Sequence, residues 1–149
     1  MQKFRRAALG LVTVATVALA AGCAAVTANT SVMQARLSPE AEVPPTVSMG
    51  QGTAQVWLNK DTGGLKWKVE YSGLSGPATM AHFHGPADPG ANAGVVVPFK
   101  MPIPSPGFEG EAAITPAQVQ DLLAGKWYIN IHTAKYPGGE IRGQVVLVR

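Results

Sequence analysis

The sequence predicts an all-β fold, an antiparallel β-sandwich or flattened barrel with one short helix near residues 115–124. Two observations predict it. Gly, Pro and Asn recur at short intervals along the chain, as they do in the turns of all-β domains. In the clearest segment Leu65, Trp67, Val69 and Tyr71 alternate with charged residues. Alternation with a period of two indicates a strand with one buried face and one solvent-exposed face.

The first 22 residues have the form of an export signal. Residues 1–6 are basic, residues 7–20 are apolar and uncharged, and small residues precede Cys23, the only cysteine of the chain. The apolar run is shorter than the roughly 20 residues that a membrane-spanning helix needs. The position of Cys23 resembles a bacterial lipobox. We therefore expect a lipoprotein signal peptide and lipidation of Cys23, with an ordinary signal peptide cleaved nearby as the alternative.

These assignments determine the expected location and charge of the mature protein. Residues 23–32 would form the lipidated cysteine and a flexible tether, and residues 33–149 the folded domain. The domain would then be an exported bacterial lipoprotein, anchored in a membrane and facing the periplasm or the cell exterior. Loss of Lys3, Arg5 and Arg6 leaves nine basic and nine acidic residues, so nucleic-acid binding is not expected. The membrane is the expected partner, and no protein partner is indicated.

Eight strands are predicted between turns. In chain order they cover residues 32–37, 52–59, 65–71, 79–84, 95–99, 108–114, 127–133 and 140–148. Hairpin turns are expected at residues 61–64 and 136–139, which are rich in Gly and Pro. Three prolines in residues 101–107 exclude regular structure there.

One helix interrupts the strands. Thr115 at the N-cap, Pro116 at the first helical position and Gln118 two residues later predict a capping box. Three apolar residues between positions 119 and 123 give the helix a buried face, and Gly125 ends it.

All three histidines of the chain lie in strand-like segments. His82 and His84 are one residue apart, so both project from the same face of their strand, opposite their apolar neighbours. His132 and Tyr128 fall on the non-core face of the segment 127–133. If the two strands are neighbours, the three histidines meet on the non-core face of one sheet.

Three neutral imidazoles with an open coordination position would suit copper, zinc or iron. Tyr128 or Tyr136 would be an additional ligand, and a phenolate would favour ferric iron. Glu140 would form a hydrogen bond to His132, or an exposed ion pair with Arg142 that contributes little stability. The loop formed by residues 85–94 would cover the site.

The alternative is that the histidines are solvated or hold a loop through hydrogen bonds. Met80 shares their face and is expected to pack rather than to bind metal, and Glu42 is a less favoured ligand. No catalytic residues are predicted, because the three aspartates fall in turns or on the helix and no serine lies in a nucleophile elbow.

Several short motifs resemble those of the CHRD domain, the module named for chordin and also found in bacterial secreted proteins. The resemblance extends over about residues 33–149. It is carried by Leu37-Ser38, Glu42-Val43-Pro44-Pro45, Tyr71-Ser72-Gly73-Leu74, the segment 81–87, Leu123-Ala124-Gly125, Asn130-Ile131-His132-Thr133 and the segment 137–144.

This resemblance implies a β-rich extracytoplasmic domain but no particular chemistry. Three functions therefore stay open. The domain would be a membrane-tethered metal-binding module, a structural or protein-interaction domain of the cell envelope without metal, or a metal-dependent redox enzyme.

Overall fold

The computed structural model describes residues 29–148. Cys23, the signal peptide and the first part of the tether lie outside this range. The described residues contain nine strands and one α-helix, α1 (Pro116–Leu123). The strands are β1 (Thr30–Leu37), β2 (Gln51–Asn59), β3 (Gly64–Ser72), β4 (Ala78–His84), β5 (Val95–Pro98), β6 (Gly107–Ala113), β7 (Tyr128–Thr133), β8 (Ile141–Gln144) and β9 (Val146–Leu147).

The strands form two antiparallel sheets that pack as a flattened sandwich without closing into a barrel, which confirms the predicted fold class. The five-stranded sheet has the order β6-β3-β2-β1-β9, and the four-stranded sheet has the order β5-β4-β7-β8. The two histidine-bearing strands, β4 and β7, are therefore hydrogen-bonded neighbours. Their register pairs Met80 with His132, His82 with Asn130, and His84 with Tyr128.

The core lies between the sheets and follows the alternation in the sequence. On β3 every second residue is buried, beginning with Leu65. Aromatic side chains from both sheets meet at its centre, where Trp67 stacks on Phe99 with ring centroids 4.9 Å apart. Phe83 contacts Trp67 edge-on at 5.3 Å. Such pairs contribute about 0.5–1.5 kcal/mol each beyond the burial of their area.

Helix α1 begins as the sequence predicts. The hydroxyl of Thr115 accepts a hydrogen bond from the Gln118 amide, and the Gln118 side chain accepts one from the Thr115 amide at 2.8 Å. Val119 and Leu122 are buried, and Gly125 with φ +72° follows the helix. Within residues 29–148, no helix is long and apolar enough to cross a membrane.

The C-terminal segment differs from the prediction of one strand over residues 140–148. It divides at Val145, which is fully buried and donates its amide hydrogen to the Trp127 carbonyl at 2.9 Å. β8 pairs with β7, whereas β9 pairs with β1 in the other sheet. Strand β8 passes very close to β1, because a Cβ atom at Gly143 would lie only 2.4 Å from the Arg36 carbonyl oxygen. At the other end β1 begins at Thr30, so the sheet includes residues 30–32 of the expected tether.

The non-core face of the four-stranded sheet is covered rather than open to solvent. Every residue of β7 is buried, including those on its polar side. Residues 39–50 and the loop 85–94 lie over this face. Thr46 donates its hydroxyl to the Glu140 carbonyl at 2.8 Å, and Asn92 donates its amide to the Val43 carbonyl at 3.1 Å. The polar side chains of this sheet therefore lie in an inner layer with its own hydrogen bonds.

Candidate metal centre

The structure brings the three histidines together. One ring nitrogen from each of His82, His84 and His132 lies within 4.8 Å of those of the other two. The ring centroids are 5.0 Å apart for His82 and His132, 5.4 Å for His82 and His84, and 6.2 Å for His84 and His132. His132 is buried, and the two histidines of β4 are half-buried. The convergence expected from the strand phases is observed.

Two backbone carbonyls orient the rings. His84 Nδ1 lies 3.0 Å from the Ala93 oxygen, and His132 Nδ1 lies 3.0 Å from the Pro137 oxygen. Because a carbonyl oxygen can only accept, each neutral ring carries its proton on Nδ1 and its lone pair on Nε2. Metal-binding histidines are commonly oriented in this way by an acceptor on the other ring nitrogen.

Among the described residues, the ring nitrogens that do not contact a carbonyl include one close pair and one buried atom without a partner. His82 Nδ1 lies 3.2 Å from His132 Nε2, a distance that fits a hydrogen bond. It also fits two nitrogens on one tetrahedral ion, which lie about 3.3 Å apart when each bond is about 2.0 Å. His84 Nε2 is buried without a hydrogen-bond partner among the described residues. A metal ion would use this lone pair.

The histidines are held neutral by their surroundings. Burial, followed by the neighbouring His132 and His84, lowers the pKa of His82 to about 4. Burial also lowers the pKa values of His84 and His132, although each bond to a carbonyl acts in the opposite direction. At neutral pH all three imidazoles are therefore available as ligands, without competition from protons.

A stack of flat groups supports His84. The Tyr128 ring lies parallel to the His84 ring, with centroids 4.9 Å apart, and the Arg142 guanidinium carbon lies 3.4 Å from the centre of the Tyr128 ring. The Tyr128 hydroxyl accepts a hydrogen bond from the Ala93 amide and donates one to the Ala93 carbonyl. Tyr128 therefore acts on the site through its ring, while its oxygen holds the covering loop.

The structure does not bring Tyr136 or Glu140 to the histidines. The Tyr136 hydroxyl donates to the Val47 carbonyl. The Glu140 carboxylate accepts hydrogen bonds from the Ser48 hydroxyl at 2.6 Å, the Ser75 amide at 2.7 Å and hydroxyl at 2.6 Å, and the Thr133 hydroxyl. Burial would raise the pKa of Glu140, but these hydrogen bonds together lower it.

The prediction of an exposed ion pair between Glu140 and Arg142 is wrong. Glu140 is 0% exposed and Arg142 is 2% exposed, because residues 39–50 and the loop 85–94 cover their strand. The Arg142 guanidinium donates to the Asn92 side-chain oxygen at 2.9 Å and to the Ala91 carbonyl. Each buried charge is stabilised by hydrogen bonds to other groups.

Glu42 belongs to the layer beside the histidines and is not one of the three-histidine group. It accepts a hydrogen bond from the Asn130 amide at 2.7 Å and is 5% exposed. Burial raises the pKa of Glu42 to about 7, although the charge of Arg142 acts in the opposite direction. Sequence reasoning included histidines that hold a loop through hydrogen bonds, but it could not identify the Ala93 and Pro137 carbonyls, and it missed this buried layer. Backbone carbonyls have no sequence signal, and the only indication was the long loop after His84.

Fold and site together define a small antiparallel β-sandwich domain that holds three histidines beneath one of its loops. The family model described as the CHRD domain matches residues 33–145, so the chain belongs to the CHRD family, as its motifs indicated. The matched range includes all three histidines. No curated protein and no solved structure matches the chain significantly.

Proposed function

We propose that this chain is a membrane-tethered, extracytoplasmic CHRD-domain protein that binds one transition-metal ion through His82, His84 and His132. The orientation of the ring nitrogens carries this proposal. Carbonyls fix the protons of two rings, and His84 Nε2 is a buried acceptor to which no residue between 29 and 148 donates a hydrogen bond. Leaving such a group unsatisfied costs about 1–3 kcal/mol, which a metal–nitrogen bond would offset.

The ligand set defines the class of ion. Within the described part of the chain it offers three neutral imidazole nitrogens and no carboxylate, so copper, zinc and iron are better candidates than calcium or magnesium. A three-histidine site leaves a coordination position for a further ligand or water. The carbonyls of Ala93 and Pro137 would keep the rings oriented and increase the basicity of their Nε2 atoms.

Direct measurement of bound metal tests this function. The purified protein is loaded separately with copper, zinc and ferrous iron, and bound metal is measured by mass spectrometry after gel filtration. We expect one ion per chain with at least one of these metals, and its loss in the variant His82→Ala/His132→Ala. Tyr136→Phe, which changes a tyrosine away from the cluster, should retain the ion. Absence of stoichiometric metal in the unaltered protein after all three loadings would overturn the proposal.

Membrane tethering rests on the sequence around Cys23 and needs its own test. The chain is expressed in a bacterium fed a radioactive fatty acid, and the membrane fraction is analysed. We expect the label on the protein and its loss in Cys23→Ser, together with release of the domain from the membrane. An unlabelled protein that fractionates with the soluble exported proteins would contradict the tether and leave the metal site unaffected.

A structural role for the histidines is the second candidate function, favoured by their hydrogen bonds to Ala93 and Pro137. In that case the histidines would hold the covering loop and the last hairpin turn of an interaction domain. Stoichiometric metal separates the two functions. In the structural case His84→Ala would lower the free energy of unfolding, and none of the three metals would raise it in the unaltered protein.

A further inference from the structure

Strand β4 places a sulfur-containing side chain on the same face of the sheet as the three histidines. Met80, His82 and His84 alternate along β4 and therefore share one face. Met80 is also the cross-strand partner of His132 on β7. Side chains directly opposite each other in an antiparallel pair have Cβ atoms about 4.5–5.5 Å apart. A methionine side chain has three rotatable bonds and can cover that distance.

The burial of Met80 is unlike that of a packing residue. The sequence favoured a packing role for it, but 43% of Met80 is exposed and it lies outside the hydrophobic core. Its partner His132 is only 6% exposed. Met80 therefore occupies a more exposed position on the face that carries the histidines, and its flexible side chain can extend from there towards His132.

We infer that the ion held by the three histidines is Cu(I), with the Met80 sulfur as the fourth ligand. This inference rests on the proposed function. Soft thioether sulfur selects Cu(I), whereas imidazole is a suitable ligand for copper, zinc and iron alike. No redox step is required, because Cu(I) enters and leaves as the monovalent ion.

The neutrality of the donor set also favours a monovalent ion. All four donors are neutral, and the free-energy cost of moving an ion from water into a low-dielectric site increases with the square of its charge. A divalent ion therefore has a larger unfavourable electrostatic energy here than Cu(I).

Met80→Leu tests the inference, because leucine keeps the volume and removes the sulfur. Met49→Leu is the matched control, since Met49 is 88% exposed and lies in the segment 39–50. Cu(I) affinity is measured without oxygen by competition with a chromophoric chelator, and Zn(II) affinity is measured in parallel. We expect at least a tenfold loss of Cu(I) affinity in Met80→Leu and a change of less than about twofold for Zn(II). Met49→Leu should change neither affinity.

X-ray absorption at the copper edge provides a second readout. We expect one sulfur scatterer at about 2.3 Å in the Cu(I)-loaded protein, by analogy with other metal–sulfur bonds, and only nitrogen scatterers in Met80→Leu. If Met80→Leu keeps the full Cu(I) affinity and the unaltered protein shows no sulfur scatterer, the assignment of Met80 is overturned and the three-histidine site stands. If the unaltered protein binds Zn(II) or ferrous iron but not Cu(I), this inference is overturned and the three-histidine site stands. If it binds none of the three metals, the proposed function fails, and this inference with it.

Discussion

Replacing Glu42 with glutamine should make the protein more stable at pH 8. Burial raises the pKa of Glu42 to about 7 from its ordinary value of 4.5. The folded protein therefore holds the proton more tightly than the unfolded chain does. The resulting stabilisation is complete below pH 4.5 and is lost as the pH rises through 7. At pH 8 the folded state contains an ionised, buried carboxylate.

The size of the effect follows from this difference in pKa. Each unit of pKa difference between the folded and unfolded states is worth about 1.4 kcal/mol. The shift of the Glu42 pKa therefore corresponds to about 2–3 kcal/mol of stability lost between pH 5 and pH 8. Glutamine avoids that loss because it does not ionise. Its side-chain oxygen can still accept the hydrogen bond from the Asn130 amide that Glu42 accepts at 2.7 Å.

Urea unfolding followed by tryptophan fluorescence measures the effect in metal-free protein. The free energy of unfolding of Glu42→Gln minus that of the unaltered protein should increase by about 2–3 kcal/mol from pH 5 to pH 8. The control is Glu40→Gln, because Glu40 is exposed and the Ser38 hydroxyl lowers its pKa. This control should gain no stability at pH 8. An equal difference at both pH values for Glu42→Gln would refute the reasoning.

Three further predictions concern the buried polar groups and the helix. Glu140→Gln should lower the free energy of unfolding in a urea titration by about 2–4 kcal/mol, because the Ser75 amide loses a charged acceptor. The control is Glu111→Gln, which changes an exposed glutamate and should alter the free energy of unfolding by less than about 0.5 kcal/mol. In the Glu42→Gln background the metal-free protein should lose stability as the pH falls from 6.5 towards 4. The pKa of His82 is about 4 in the folded protein and 6.5 in the unfolded chain, so the unfolded chain binds a proton in this range and the folded protein does not. A urea midpoint of unfolding that is independent of pH in this range would contradict the prediction. Thr115→Ala should cost about 0.5–2 kcal/mol in urea unfolding and Thr115→Ser much less, because only serine keeps the capping hydroxyl; equal losses in both would show that the cap is not the cause.

The core faces of the strands were predictable from the sequence. A strand between solvent and a core has only two environments, so apolar residues such as Val56 and Val69 repeat with a period of two. The same rule put His82, His84 and His132 on one face, because each lies next to a core residue in its strand. Helix α1 was equally predictable from the sequence, since its capping signal is formed by residues close together in the chain. These features depend on residues that are neighbours along the chain.

The covered face could not be predicted in the same way. On β7, Asn130 and His132 alternate with core residues and give the pattern of a solvent-exposed face, yet both are buried. Their burial depends on residues 39–50, about 90 positions earlier in the chain. These residues do not alternate between apolar and polar, so the sequence does not show which face of the sheet they cover. The division of the last strand was hidden for another reason. Residues 145–148 are all apolar, so they do not show where β8 ends and β9 begins.

The covering loop links the geometry of the site to the polar layer beneath it. Ala93 forms hydrogen bonds with both His84 and Tyr128. Arg142 forms hydrogen bonds with Ala91 and Asn92 of the same loop. The strands set the spacing of the histidine Cα atoms, and the loop sets the orientation of the His84 ring. Arg142 therefore influences the site in two ways, through its bonds to the loop and through its charge, which lowers the pKa of His84 further than burial alone. A fully buried arginine is costly unless its hydrogen bonds are satisfied, so the loop is also what permits Arg142 in this layer. The loop, the arginine and the orientation of His84 consequently depend on one another, and a change in any one of them should alter the metal site without removing a ligand.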